Sequence, residues 1–486
     1  MHSSDFTPAR LAGRLSPLVH LTNNWISLIG VILVTTAGIL WLFVFFAEVT
    51  TETENPYIGI VAFLALPGVF FGGLGLIPVG AWLRFRGERH AGKYPLTFEK
   101  LNLQNPEFRR LLAFVGAATM ANLLIGGQLV YHGVSYMDGV TFCGQTCHTV
   151  MEPEFAAYQN SPHSRVECVK CHIGPGASWF VRSKLSGVGQ ILAVTFNTYS
   201  RPIPTPVHNL RPARDTCEAC HWPQKFEGTR LRVVPKYADD ENNSLTKTVL
   251  LMHIGGGQGG PSIHGAHLGD GVVIRYAHSD ESRQTIPWVE YANSLTGRKT
   301  TYLAPDTNAE ALANLPVREM DCVDCHNRPT HTFDVPDRVL NQALSFGDIS
   351  ATLPFAKKKS LELLQASYAS REEALAKIPA EFENYYKTSY PDVYGKDKAL
   401  VRRSAETVGA IYARNIFPGM NITWGTYPNN IGHTDFTGCF RCHDDAHTSR
   451  DGKAITQDCG ICHELLAMEE PEPKILTDLG LTNGAR

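Results

Sequence analysis

Three long stretches without a charged residue dominate the first third of the chain: 25–46, 57–83 and 111–134. Each exceeds the ~20 residues a helix needs to cross a bilayer. The pattern predicts a membrane anchor with three spans over 1–140. The first stretch is too long for a signal peptide, and no small-residue cleavage site follows it, so it reads as an uncleaved anchor. Pro67 and Pro78 fall within the second and predict a kink, which membrane helices tolerate. Beyond residue 140 the pattern shortens. Runs at 231–234, 246–254, 271–278, 284–291 and 299–303 read as strands between polar turns, a small β-rich insert over 226–320. From 336 to 417, apolar positions such as Leu361, Leu364, Tyr368 and Ala374 recur at helical spacing. The end, 469–486, is polar with Pro471 and Pro473, and reads as a tail: a docking arm or a disordered segment.

Charge orients the anchor. Arg10 and Arg14 precede the first span, and the loop 47–56 holds three Glu and no basic residue. The loop 84–110 carries Arg84, Arg86, Arg89, Lys93, Lys100, Arg109 and Arg110. An excess of Lys and Arg marks cytoplasmic loops, so the N-terminus is expected inside and residue 136 onward outside. Asn122, Gln128 and His132 are polar groups within the third span; the first two read as interhelical hydrogen-bonding groups. His132, near the outer end, reads equally as functional or structural. The formal charge of −3 over 486 residues gives no reason to expect nucleic acid.

The cysteines change the picture. All 12 fall into six pairs: Cys143/Cys147, Cys168/Cys171, Cys217/Cys220, Cys322/Cys325, Cys439/Cys442 and Cys459/Cys462. Each pair is followed at once by a histidine: His148, His172, His221, His326, His443 and His463. With 19 His in 486 residues, six such coincidences are not chance. C-x-x-C-H is the attachment site of a c-type haem. The thiols bond the haem and the adjacent His ligates the iron. Structural zinc uses the same cysteine spacing but does not need a following His each time. Six covalent haem c groups are therefore expected, in a mainly α periplasmic domain whose core the haems partly form. The motifs divide it into 141–225, with three, and 321–468, with three. Such haems are attached outside the cytoplasmic membrane, the side that the charge pattern assigns.

The first motif departs from the rule. Cys143-Gly-Gln-Thr-Cys147 has three intervening residues, so His148 is displaced and Met151 is an alternative axial ligand. For the other haems, second ligands are expected among spare histidines: His163, His331, His433 and His447, each close to a motif, with His264 as the fifth. His267 and His208 stand in reserve, and His253 and His278 read as strand residues. The glycines at 255–260 fit G-x-G-x-x-G, but Pro261 follows and no helix is expected to open there, so a dinucleotide site is rejected.

Several of these segments together resemble the NapC/NirT/NrfH family of membrane-anchored multihaem quinol dehydrogenases. They are the first motif with its nearby Met, Tyr158-Gln-Asn-Ser-Pro-His163, Cys168-Val-Lys-Cys171-His172, Gly174-Pro-Gly-Ala-Ser-Trp179 and the run from Lys184. Asp215-Thr-Cys217-Glu-Ala-Cys220-His221-Trp222-Pro223 and the stretch from Asp321 to His331 also match. The reach of the match, from residue 142 to about 465, points to the ImcH-like inner-membrane branch. Smaller members of the family have one span and four or five haems, against three spans and six motifs here. The resemblance implies quinol oxidation beside the first haem. A quinol releases protons with its electrons, so a base must lie close. Lys184 stands where the family carries a quinol-site lysine, and Asp138, Glu152 and Glu154 are nearby in sequence. The expected partners are the lipid bilayer, the membrane quinol pool and periplasmic multihaem c-type cytochromes, at the bacterial inner membrane. A relay subunit without its own quinone site, or a multihaem reductase, is the alternative.

Overall fold

The structure, a computed structural model, describes residues 17–50, 65–95 and 116–481. Residues 19, 23, 118–119, 122–123, 126, 129–130, 134, 147, 175–176, 208–209, 223–224 and 256–261 within those ranges are outside the description. The chain forms two compact units, Met1–Phe142 and Cys143–Arg486.

Among the described residues the first unit contains a helix pair, α1 (Trp25–Thr50) and α2 (Leu66–His90). Glycines bring the backbones together: a Cβ at Gly30 would lie 2.7 Å from the Gly73 carbonyl, and one at Gly73 would lie 2.8 Å from that of Gly30. Small residues at such a crossing are how helices associate where no hydrophobic drive exists. Ser27 Oγ adds a bond, donating to Ile77 O over 2.9 Å. Helix α2 is long and apolar enough to cross a membrane. It runs seven residues past the expected end of the second span, because Glu88 accepts from Arg84 at 2.8 Å and meets His20 at 2.8 Å. Pro67 sits in its first turn, where a missing N–H costs nothing, and Pro78 lies inside it. The third expected span lies in part outside the described residues, Asn122 among them. Gln128 is exposed on a helical turn, and the His132 ring rests edge-on against Tyr131.

The second unit opens on a π-helical turn, Phe142–Thr146, then α3 (His148–Gln159), α4 (Cys168–His172), α5 (Ala177–Thr195) and α6 (Ala213–Cys217). Next come β1 (Arg230–Tyr237), β2 (Leu245–Met252), α7 (Ile263–Leu268), β3 (Val272–Ala277), β4 (Trp288–Asn293), β5 (Arg298–Leu303), β6 (Val317–Glu319) and α8 (Cys322–Cys325). Four helices follow: α9 (Pro336–Phe346), α10 (Ala356–Gln365), α11 (Arg371–Ser389) and α12 (Pro391–Asn415). The chain ends with β7 (Thr448–Ser449), β8 (His463–Glu470) and α13 (Lys474–Asp478).

Each of the five expected strands has a counterpart, but the sheets are not closed within 226–320. Their orders are β1-β2-β8 and β6-β3-β4-β5-β7, antiparallel throughout, so each needs a strand from beyond residue 440. The four helices α9–α12 bury their own apolar core, with Leu340, Leu364, Ala374, Ile378, Phe382 and Val408 near zero exposure. Much of this core is therefore side chain, built from the helical spacing seen at 336–417. The expected tail is also packed: Leu476 on α13 is buried against Val249 and Ala467. A helix does open after the glycine run, contrary to expectation, because Ser262 caps α7 by accepting from the Gly265 N–H at 3.1 Å.

Candidate metal centres

Each described motif folds as one tight helical turn. Motif two is α4, motif four is α8, and motifs five and six are 3-10 turns at Gly438–Arg441 and Cys459–Ile461. The amide of His221 donates to Cys217 O (2.8 Å), that of His326 to Cys322 O (2.8 Å) and that of His443 to Cys439 O (3.1 Å). Positions i, i+3 and i+4 lie on one face of a turn, so both thiols and the imidazole project together. The first motif has one residue more, and the chain takes it up in the π-helical turn, a wider coil that suits an insertion. Cys147 and the His148 side chain lie outside the described residues. Met151 is half-buried one turn into α3.

Five motif histidines face a second histidine from a distant segment. Ring centres are 6.2 Å apart for His172 and His331, 6.0 Å for His221 and His163, and 6.3 Å for His326 and His264. They are 5.9 Å apart for His443 and His267, and 6.3 Å for His463 and His433. Metal–imidazole bonds of ~2 Å, plus about 1 Å from nitrogen to ring centre, place two imidazoles on one iron about 6 Å apart. The donor set and spacing fit a six-coordinate haem iron at all five places.

The second ring nitrogens agree. Nδ1 is hydrogen-bonded to a main-chain carbonyl in His163 (Pro329, 3.2 Å), His264 (Ile254, 2.5 Å), His267 (Ile263, 2.7 Å), His331 (Glu154, 2.9 Å) and His443 (Thr456, 2.9 Å). Such a bond orients the ring and leaves Nε2 for a metal. Nδ1 of His463 is buried without a hydrogen-bond partner. Burial first, then the facing histidine, lowers the pKa of His172, His326 and His463; burial also lowers that of His267. Neutral imidazole is the form a metal takes.

His447, expected as a ligand, does not fit. Its Nδ1 meets the Asp444 carboxylate at 2.9 Å and its Nε2 meets Ile286 O at 2.6 Å, and the ring is 3% exposed. Both nitrogens are used, so it braces a loop. The place opposite His443 goes to His267, held in reserve by sequence. The signal was its spacing: His264 and His267 are i and i+3 on α7, one face serving two adjacent centres.

Motifs one to five touch in chain order. Cys168 lies beside Cys143, and Cys217 beside Cys322. Helix α4 packs on α6. Asp321, which caps α8, accepts from Ala213 N at 3.0 Å, and Arg441 in motif five donates to Asp324 O in motif four. Asp324 itself is buried and accepts from Tyr276 Oη (2.6 Å), Arg283 and Arg318 (3.0 Å each). Burial, then Asp324, pushes the Tyr276 phenol well above its usual range.

The expected quinol-site groups are dispersed. Glu152 is paired with Arg371, and Glu154 with Arg328 at 3.0 Å. Asp138 is half-buried in the first unit, and Lys184 lies on α5 with its side chain outside the described residues. His253 meets Glu464 at 3.7 Å, and His278 bonds Asp280 O at 2.9 Å, so both serve local structure. His208 is outside the described residues.

Repeated cysteine pairs on helical turns, with five of the motif histidines each set opposite a second imidazole, define a multihaem c-type cytochrome. The chain is 41% identical over 463 residues to the cytochrome c-type protein ImcH of Geobacter sulfurreducens, covering 94% of this chain and 91% of that one. It belongs to that family of c-type cytochromes. No family model matches the chain, and no solved structure matches it.

Proposed function

We propose that this chain is a hexahaem quinol dehydrogenase of the inner membrane, which passes electrons from the quinol pool to periplasmic multihaem c-type cytochromes. The observation that carries the reading is the row of five histidine pairs at haem spacing, with motifs adjacent in chain order. The bound haems supply one-electron redox chemistry. The protein's part would be to hold the haems of motifs two to six by two thioethers and two imidazoles each, with His163, His264, His267, His331 and His433 as the second ligands, and the first haem by His148 or Met151. Two imidazoles per iron leave no open coordination position, which favours conduction over a reductase acting on a small molecule.

Quinol oxidation releases two protons, so the protein must also offer a base where the ring docks. Lys184 fills that role in this reading, since a desolvated lysine loses its proton at lower pH than a free one. Glu152 and Glu154 are already paired with arginines, which leaves Lys184 and Asp138 as the candidates. The N-terminal helices would hold this end in the bilayer, N-terminus inside.

The test is stopped-flow reduction of the purified, haem-loaded protein by a menaquinol analogue, comparing wild type with Lys184→Ala. Fast reduction of wild type and at least tenfold slower reduction of the variant is the expected result. Fast reduction of both discards Lys184. A wild type that dithionite reduces but no quinol does is a relay subunit instead. A pyridine haemochrome assay should count six haems per chain.

A further inference from the structure

His331 differs from every other described ring that faces a partner histidine. Its Nδ1 donates to the main-chain carbonyl of Glu154 at 2.9 Å and also lies 3.2 Å from a carboxylate oxygen of the same residue. The rings of His163, His264, His267 and His443 donate to a neutral carbonyl. The carboxylate is well placed to act, because it is 12% exposed and little water screens it. Arg328, 5% exposed, fixes it with Nη2 at 3.0 Å from both carboxylate oxygens. The same guanidinium lies over the rings of Tyr427 (4.2 Å) and Phe333 (5.1 Å), and its Nε donates to His331 O. The carboxylate and the imidazole are therefore held by one rigid group.

We propose that Glu154 sets the redox potential of the second haem, acting on His331 from behind. The proposal rests on reading His172 and His331 as the two ligands of that haem. A carboxylate on the far nitrogen makes an imidazole a stronger donor. A stronger donor and a nearby negative charge both favour the oxidised iron, so the second haem is held at a lower potential than a carbonyl-bonded ring would give. Arg328 offsets part of the charge and keeps its direction. Glu154 is thus a positioning residue for electron flow rather than a proton acceptor for quinol.

Full-length, haem-loaded protein in detergent would be titrated by spectroelectrochemistry, with EPR spectra of the oxidised form. Glu154→Gln keeps the shape and an acceptor but removes the charge. One wave should move to higher potential by about tenfold in its reduction equilibrium, ~59 mV for one electron. One low-spin EPR signal should shift with it while the other waves stay. If all waves stay in place, the proposal is wrong. Should that variant fold poorly, Glu154→Asp keeps the charge but withdraws it from Nδ1, and a shift of the same sign is expected; none overturns the proposal. His331→Met separates the two layers of the argument. It should turn one bis-histidine signal into a histidine–methionine one. If it does so while Glu154→Gln moves nothing, only the tuning role falls; if it changes no signal, the ligand reading falls and the proposal with it.

Discussion

Arg441 Nη2 donates to the main-chain carbonyl of Asp324 over 2.7 Å. Arg441 lies between the two cysteines of the fifth motif and Asp324 between those of the fourth, so one motif loop is bonded directly into the next. Its other groups reach Arg283 O at 2.7 Å and Gly438 O at 2.9 Å. Haems at these two motifs would need a fixed separation to exchange electrons, and a guanidinium with several donors in one plane supplies it.

Arg441→Met would leave these carbonyls without their donor. The three carbonyls are part-buried, so water can meet part of their demand and each costs less than the roughly 1–3 kcal/mol of a fully buried group; the loss should be about 2–4 kcal/mol in all. Urea unfolding of the haem-loaded protein measures it. A variant as stable as wild type would show that the loops are held together by other means.

His267 and His447 should part company. His267→Met is expected to replace one bis-histidine EPR signal with a histidine–methionine signal. His447→Ala should leave every haem signal in place but lower stability by about 2–4 kcal/mol, since Asp444 and Ile286 O lose a shared buried partner. The reverse pattern would restore His447 as the ligand.

In the first unit, Gly73→Leu should loosen the helix pair, because its Cβ would enter van der Waals range of Gly30 O and Val34. Overpacking of this kind costs about 1–3 kcal/mol. The melting temperature in detergent should fall for Gly73→Leu and hold for Gly72→Leu, where nothing lies within 4 Å. Equal losses would argue against the close crossing.

Asp280 predicts an acid dependence. Burial pushes its carboxyl up, but bonds from Ser282, the Gln284 amide (3.0 Å) and the Thr285 amide (2.7 Å) outweigh it and hold the pKa below the usual range. A carboxylate with a lowered folded pKa stabilises above the unfolded value of about 4, and that share is lost as pH falls through the folded value. The stability gap between wild type and Asp280→Asn should therefore be constant near neutral pH and shrink below pH ~4. Urea midpoints from pH 7 to 3 test this, and a constant gap throughout would refute it.

The sequence by itself determined the chemistry of this protein. Six cysteine pairs, each followed by a histidine, fall in the sequence where local covalent chemistry needs them, and the strands of 230–303 follow from periodicity within a few residues. Which histidine faces each motif histidine was decided by tertiary structure. His267 rather than His447 faces His443 because Ser262 starts a helix after a run of glycines, and because Asp444 and Ile286 occupy both nitrogens of His447. Neither fact is local to a motif. The same holds for Glu154, which the sequence offers as a quinol-site acid. It becomes a partner of His331 only when Arg328, 174 residues away, folds against it. Which histidines face one another depends on contacts between segments far apart in the chain, and periodicity and spacing carry no record of those.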